Sequence, residues 1–199
     1  GLKAVTLTDV NFYNNTGVMG GAVFVYDTLR VEMSSCRFEG NIGEYNGGGA
    51  FLFDVRHIVI SSSIFHKNKA GNIGGGLVVD SVDEFSITRS NFTSNSANST
   101  SSFGGGLSVA RVLLSCDITH CFFKSNSAQF GSAVSMAAAN TVRYSHNRFH
   151  SNKASTAGTV YWLYESGMGG KKAYPAPTDV ANTFSDNTVR YYGPRFATE

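Results

Sequence analysis

The segment Phe-x-x-Asn recurs seven times, at Phe12/Asn15, Phe38/Asn41, Phe65/Asn68, Phe92/Asn95, Phe123/Asn126, Phe149/Asn152 and Phe184/Asn187. Successive Phe residues are separated by 26, 27, 27, 31, 26 and 35 positions. A unit of that length is too short to bury its own apolar face. Several units stacked on one another can share a core, so a fixed period is read as a stacked-repeat architecture before any local assignment is made.

Aligned on the Phe, the units show strand chemistry. Seven residues before it stand Val5, Val31, Ile58, Phe85, Cys116 and Val142; five before it stand Leu7, Met33, Ile60, Ile87, Ile118 and Tyr144. Two apolar columns two residues apart line one face of a strand. A hydroxyl column follows (Thr8, Ser34, Ser61, Thr88, Thr119, Ser145), which suits a bend because the side chain can bond nearby backbone. After the Asn comes a variable Gly/Ser/Asn stretch, then Gly20-Gly21-Ala22, Gly48-Gly49-Ala50, Gly75-Gly76-Leu77 and Gly105-Gly106-Leu107, each opening a short apolar run. No helical periodicity is sustained.

Three short strands per unit, in register between units, predict an all-β right-handed parallel β-helix of about seven coils spanning residues 1–199 as one domain. At a strand spacing of roughly 4.8 Å the rod is about 30–35 Å long. The seven Phe residues form an aromatic ladder. The seven Asn residues form a corner ladder, where Asn tolerates left-handed backbone and bonds its counterparts above and below. The paired glycines serve another corner.

A net charge of +2 gives no footprint for nucleic acid or for adsorption to a membrane surface, and no apolar run is long enough to span a bilayer. The chain opens at Gly1 inside a repeat and its last unit degrades around Pro177–Val180, so a piece of a longer surface protein is expected. Three cysteines make no disulfide framework. Cys116 and Cys121 lie close enough in sequence for a bridge within one unit, but buried free thiols are the favoured reading. Asn14, Asn91 and Asn98 each begin an N-glycosylation acceptor pattern.

Phe-x-x-Asn alternating with Gly-Gly-Ala/Leu resembles the repeats of the chlamydial polymorphic outer-membrane proteins, and similar repeats in large surface proteins of algae and other protists. The likeness covers nearly the whole chain. The ending around Tyr192-Gly193-Pro194 resembles the terminator that closes such arrays in the eukaryotic relatives. The resemblance implies an extracellular, non-catalytic β-helix used for adhesion or as a spacer. Its partners would be other surface proteins, glycans or copies of itself, with no cofactor and no membrane insertion by this segment.

The rival is a carbohydrate-active β-helix, a lyase or hydrolase, which needs clustered carboxylates on an outer face. Asp27, Asp54 and Asp80 each end the run after the glycines and are the candidate column for calcium, with Arg30 or Arg56 as the alternative compensating charge. The bland reading is that each caps its own turn. His120 and His146 share a column three before the Phe, with no third ligand of metal-binding type beside them. The runs after the glycines are apolar at nearly every position, which implies cover on both faces. Val23, Phe51, Val78 and Tyr161, or else the residues of the other parity, then mark an apolar outer stripe, either a contact surface or a face covered by the 166–176 insertion. A filament subunit with coil ends stacked end to end is a third reading.

Overall fold

The computed structural model describes residues 3–163, 178–191 and 196–198. The 166–176 insertion and the Tyr192-Gly193-Pro194 ending lie outside the described residues. The chain winds as a right-handed parallel β-helix of about six turns, close to the seven expected from counting Phe. Among the described residues there is no helix. The strands form three sheets of ten, seven and seven strands, each running along the rod axis with every pairing parallel.

The Phe sheet holds one three-residue strand per turn, such as Arg37–Glu39, Ile64–His66 and Asn91–Thr93. Phe38, Phe65 and Phe92 are direct partners across it. From Phe12 to Phe184 the rings stack face to face with centroids 4.7–4.9 Å apart. Phe38 to Phe149 are buried, and the end members Phe12 and Phe184 are partly buried. The spacing follows from the backbone: hydrogen-bonded parallel strands lie at that separation, so identical rings on adjacent strands must stack.

Three residues on, the Asn side chains form a buried amide ladder. Asn41 Nδ2 donates to Asn68 Oδ1 at 3.0 Å and to the Phe12 carbonyl at 3.1 Å. Asn41 N donates to the same Asn68 Oδ1 at 3.0 Å. The pattern repeats through Asn95, Asn126, Asn152 and Asn187. Asn41, Asn68, Asn95, Asn126 and Asn152 have no exposed surface, yet each amide uses both donors and both lone pairs, which is what burial of a primary amide requires.

Asn15 and Asn187, the end members among the described residues, are exposed and half-buried respectively. Asn15 donates from N and from Nδ2 to Asn41 Oδ1 at 2.9 and 3.0 Å, so its register is the expected one. Among the described residues, however, no earlier turn lies over it, and its own Oδ1 has no Asn of a preceding turn to accept from. One expectation is corrected here, and it concerns the backbone. The left-handed residue of this corner is the one before the Asn (Asn14, Gly40, Lys67, Ser94, Ser125, Ser151, Asp186), and the Asn itself turns its side chain toward its neighbours in the ladder.

The long sheet differs more. The apolar run after the glycines and the strand before the hydroxyl column are one continuous strand: Val23–Ser34, Ala50–Ser61, Leu77–Thr88 and Leu107–Thr119. Each bends at a single left-handed residue, Asp27, Asp54, Ser81 or Arg111. The third sheet runs through short strands after the Asn, including Lys69–Ala70, Ser96–Ala97, Ser127–Phe130 and Lys153–Ala157.

At the glycine corner the first glycine carries the positive φ, as at Gly20 (68°) and Gly47 (65°). The second meets the neighbouring turn: a Cβ on Gly48 would lie 2.2 Å from the Gly75 carbonyl oxygen. Ala22 bonds at the level of Gly49, so it stands in the third-glycine column. The Gly-Gly-Ala of the first turn is therefore one residue out of step with that of the second.

Cys36, Cys116 and Cys121 are buried free thiols. Burial pushes the Cys121 thiol up to about 12 and raises Cys116 further. All three should resist a thiol-specific reagent at mildly alkaline pH in the native state and react together on unfolding. Rapid native modification of Cys116 or Cys121 would contradict this packing.

Two substitutions test the spine. Phe65→Ala should cost roughly 3–5 kcal/mol by denaturant titration. Asn95→Ala removes the acceptor shared by Asn68 N and Nδ2 and the donor to the Phe65 carbonyl. Each orphaned group costs about 1–3 kcal/mol, so its loss should exceed that of Asn15→Ala, which removes the Nδ2 donor to Asn41 Oδ1, measured the same way.

Candidate contact surface

The outer face of the long sheet carries the residues singled out for contact or chemistry, but in a different register. Phe24, and not Val23, is level with Phe51, Val78, Ser108, Ser135 and Tyr161. Val23 pairs with Ala50 and packs against the core. The stripe is also not open along its length. Phe51 is 5 %, Val78 4 % and Tyr161 2 % exposed, against 50 % for Phe24.

The described cover comes from the end of the third sheet, where Met19, Asn46, Ile73, Phe103 and Phe130 form a column through successive bridges. Phe103 and Phe130 stack at 5.0 Å, and Tyr161 tilts against both at 5.8 and 5.2 Å. This column answers the continuous apolar runs: the inward residues fill the core, and the outward ones pack under neighbours from the adjacent corner.

The cover thins toward the first turn. There Met19, Phe24, Tyr26, Phe51, Phe53 and Asp80 line an apolar trough of about 500 Å³. Tyr26 stacks on Phe53 at 5.5 Å, and Phe24 tilts against Phe51 at the same distance. Phe24 and Tyr26 are each at least half exposed. The strand Ala4–Thr8 pairs with Arg30–Ser34, so among the described residues Val23–Tyr26 is paired on one edge only. Leu113 and Leu114 form a second exposed apolar spot on this sheet, where the register between neighbouring strands shifts.

The proposed carboxylate column does not assemble. Asp27 and Asp54 hold the bend, whereas Asp80 lies one residue earlier and pairs with Phe53 and Ala110. Ser81 and Arg111 occupy the bend in the next two turns. Burial raises the Asp80 carboxyl, opposed by the Arg111 guanidinium, which bonds it directly. Arg30 pairs with Glu32 at 2.6 Å and not with the Asp column.

His120 and His146 are bend residues whose rings stack at 4.9 Å and 4°. Parallel imidazoles aim their lone pairs side by side, which is poor geometry for chelating one ion. Among the described residues no group of three or more His, Cys, Asp or Glu is placed to hold a metal. No described helix is long and apolar enough to cross a membrane. Asn14, Asn91 and Asn98 are all exposed.

A polar ladder not anticipated from the sequence runs two positions before the Phe. Cys36 N donates to Ser63 Oγ at 3.2 Å, Ser63 N to Ser90 Oγ at 3.1 Å, and Cys121 N to Asn147 Oδ1 at 2.8 Å. It holds the corner between the long sheet and the Phe sheet, as the Asn ladder holds the next.

Searches of curated proteins and of solved structures returned no match. The profile described as right handed beta helix region matches residues 1–112, or 112 of the 199 residues. The matched span covers the first four Phe-x-x-Asn units and their glycine corners. With the parallel register of all three sheets, that match shows that the chain belongs to the right-handed β-helix family.

Proposed function

We propose that this chain is an extracellular, non-catalytic scaffold or adhesion module that offers a rigid sheet face to a protein or glycan partner. The carrying observation is the trough around Phe24, Tyr26 and Phe53: half-exposed aromatic rings on a strand bonded into a ten-stranded sheet. Exposed apolar patches of this kind mark contact sites, and a fixed backbone lowers the ordering cost of binding. The repeat resemblance to polymorphic outer-membrane proteins supports a cell-surface setting, with glycosylation at exposed Asn14, Asn91 or Asn98 in a eukaryotic host. The dispersed carboxylates weigh against a lyase or hydrolase on this face.

A second reading is a self-associating rod, with coil ends stacked end to end. An unpaired parallel strand is a template for another strand, supplied by another copy or by the rest of a longer chain.

Beads coated with the protein should adhere to cultured cell layers. Phe24→Ser combined with Tyr26→Ser should reduce adhesion several-fold with little change in melting temperature. Adhesion unaffected by the pair would contradict the reading, as would release of unsaturated or reducing ends from polyuronates by the wild type. Electron microscopy showing end-to-end rods would favour the second reading.

Calcium should leave the melting temperature unchanged. Asp54→Ala should cost about 1 kcal/mol for placing alanine at φ 54°, equally with calcium and with chelator. A calcium-dependent difference between wild type and variant would restore the ion site.

A further inference from the structure

The third sheet carries a groove of different chemistry from the trough. The fourth unit is longer than its neighbours, with 31 residues from Phe92 to Phe123, and the extra length follows Ala97. Residues 98–102 rise beside the sheet and wall a groove of about 530 Å³. Asn98 and Thr100 belong to the wall, and Ser127, Gln129, Lys153 and Ser155 come from the next two turns.

The wall is anchored at both ends. Asn98 N donates to the Ala70 carbonyl at 3.1 Å, and Ser99 N to the Gly71 carbonyl at 2.7 Å. Ser102 is buried, and its Oγ accepts from Gln129 N at 2.9 Å. The groove is therefore preformed.

Its lining is hydroxyls, amides and one ammonium, with two alanines and no carboxylate. Among the described residues Lys153 makes no ion pair. Gln129 lines the groove from the adjoining strand, although its Oε1 is shut from solvent. Lys153 is level with Ser127, Ser96 and Lys69 in one outward column. Of that column Ser127 and Lys153 line the groove, one step of roughly 4.8 Å apart, close to the length of one sugar ring along an extended polysaccharide.

We propose that this groove binds a short acidic oligosaccharide lying along the rod axis, with a sugar carboxylate on Lys153 and ring hydroxyls on the Ser, Asn and Gln side chains. Closely spaced donors and acceptors suit a polyhydroxylated chain. The lone ammonium in an acid-free lining selects a negative charge. A peptide would need an apolar anchor pocket or a free strand edge; the walls offer two alanines, and the floor strands are paired on both sides. A nucleic acid would need denser positive charge and stacking rings. This deepens the scaffold reading by giving a second face a ligand class.

The test uses the full chain produced without N-glycosylation, because Asn98 begins an acceptor pattern and a sugar attached there would fill the groove. A hyaluronan hexasaccharide, a sulfated heparan hexasaccharide and neutral chitohexaose are titrated by NMR chemical-shift mapping and calorimetry. The hyaluronan fragment should bind, shifting amides of 98–102, 127–130 and 153–155. Lys153→Gln should weaken binding about tenfold, the weight of one charge-assisted hydrogen bond. Lys124→Gln, on the Phe sheet, should have no effect.

Equal binding of chitohexaose, tighter binding of the sulfated fragment, or an unchanged affinity in Lys153→Gln would each overturn the assignment. Absence of binding at millimolar sugar would also overturn it, while adhesion through Phe24 and Tyr26 would still stand. Cleavage of the sugar would instead overturn the non-catalytic reading. Binding without turnover supports both.

Discussion

Each turn is held to the next by a buried amide that cannot be satisfied alone. An Asn side chain at this corner needs an Asn at the same place on the next turn, because its Nδ2 donates to that residue's Oδ1 and its own Oδ1 accepts from the turn before. A register slip of one residue would bury donors and acceptors without partners, at about 1–3 kcal/mol each. The ladder therefore fixes where every turn starts. The Phe stack adds apolar burial and dispersion to that registry without determining it, since an aromatic column tolerates small axial shifts more readily than a hydrogen-bonded one. The placement of length variation agrees. The extra residues of the fourth unit fall after Asn95 and before Gly104, away from both ladders.

Where one residue type repeated, the sequence could be read directly: Phe and Asn gave the winding, the parallel register and the core columns. Where the requirement was for a kind of group, it could not. The corner two positions before the Phe accepts Cys, Ser or Asn, because its task is to fill a small space and, in most turns, to accept a backbone N–H. The left-handed bends accept Asp, Ser, Arg, Lys and His, because the corner enforces the conformation on whichever residue stands there. Neither position leaves an identity pattern.

The misread residues of the outer face share a cause. Aligning Gly-Gly-Ala by motif placed Ala22 with Ala50, whereas the backbone bonds place it with Gly49. That one-residue offset put Val23 in the outer stripe in place of Phe24. Motif position likewise puts Asp80 in the Asp column, because it ends an apolar run, whereas pairing does not. In a strand a single step reverses the face, so such an error exchanges a core residue for a surface one. The polar groove was visible only as a longer gap. Gln129 and Lys153 come from later turns, and nothing local to the insertion points to them.

The two candidate faces use the same scaffold differently. On the long sheet, aromatic rings are half covered by a neighbouring column and emerge at the first turn. On the third sheet, short polar side chains are walled by an anchored loop. In both, the described backbone is fixed by hydrogen bonds between turns, so the ordering cost of any contact there would be low. The winding itself is tested most directly by NMR on protein with selectively labelled phenylalanine. Nuclear Overhauser contacts should link the rings of Phe38 to Phe65 and of Phe65 to Phe92, with none between Phe38 and Phe92. Rings in three unrelated environments, or direct contact between Phe38 and Phe92, would contradict a spine built one turn upon the next.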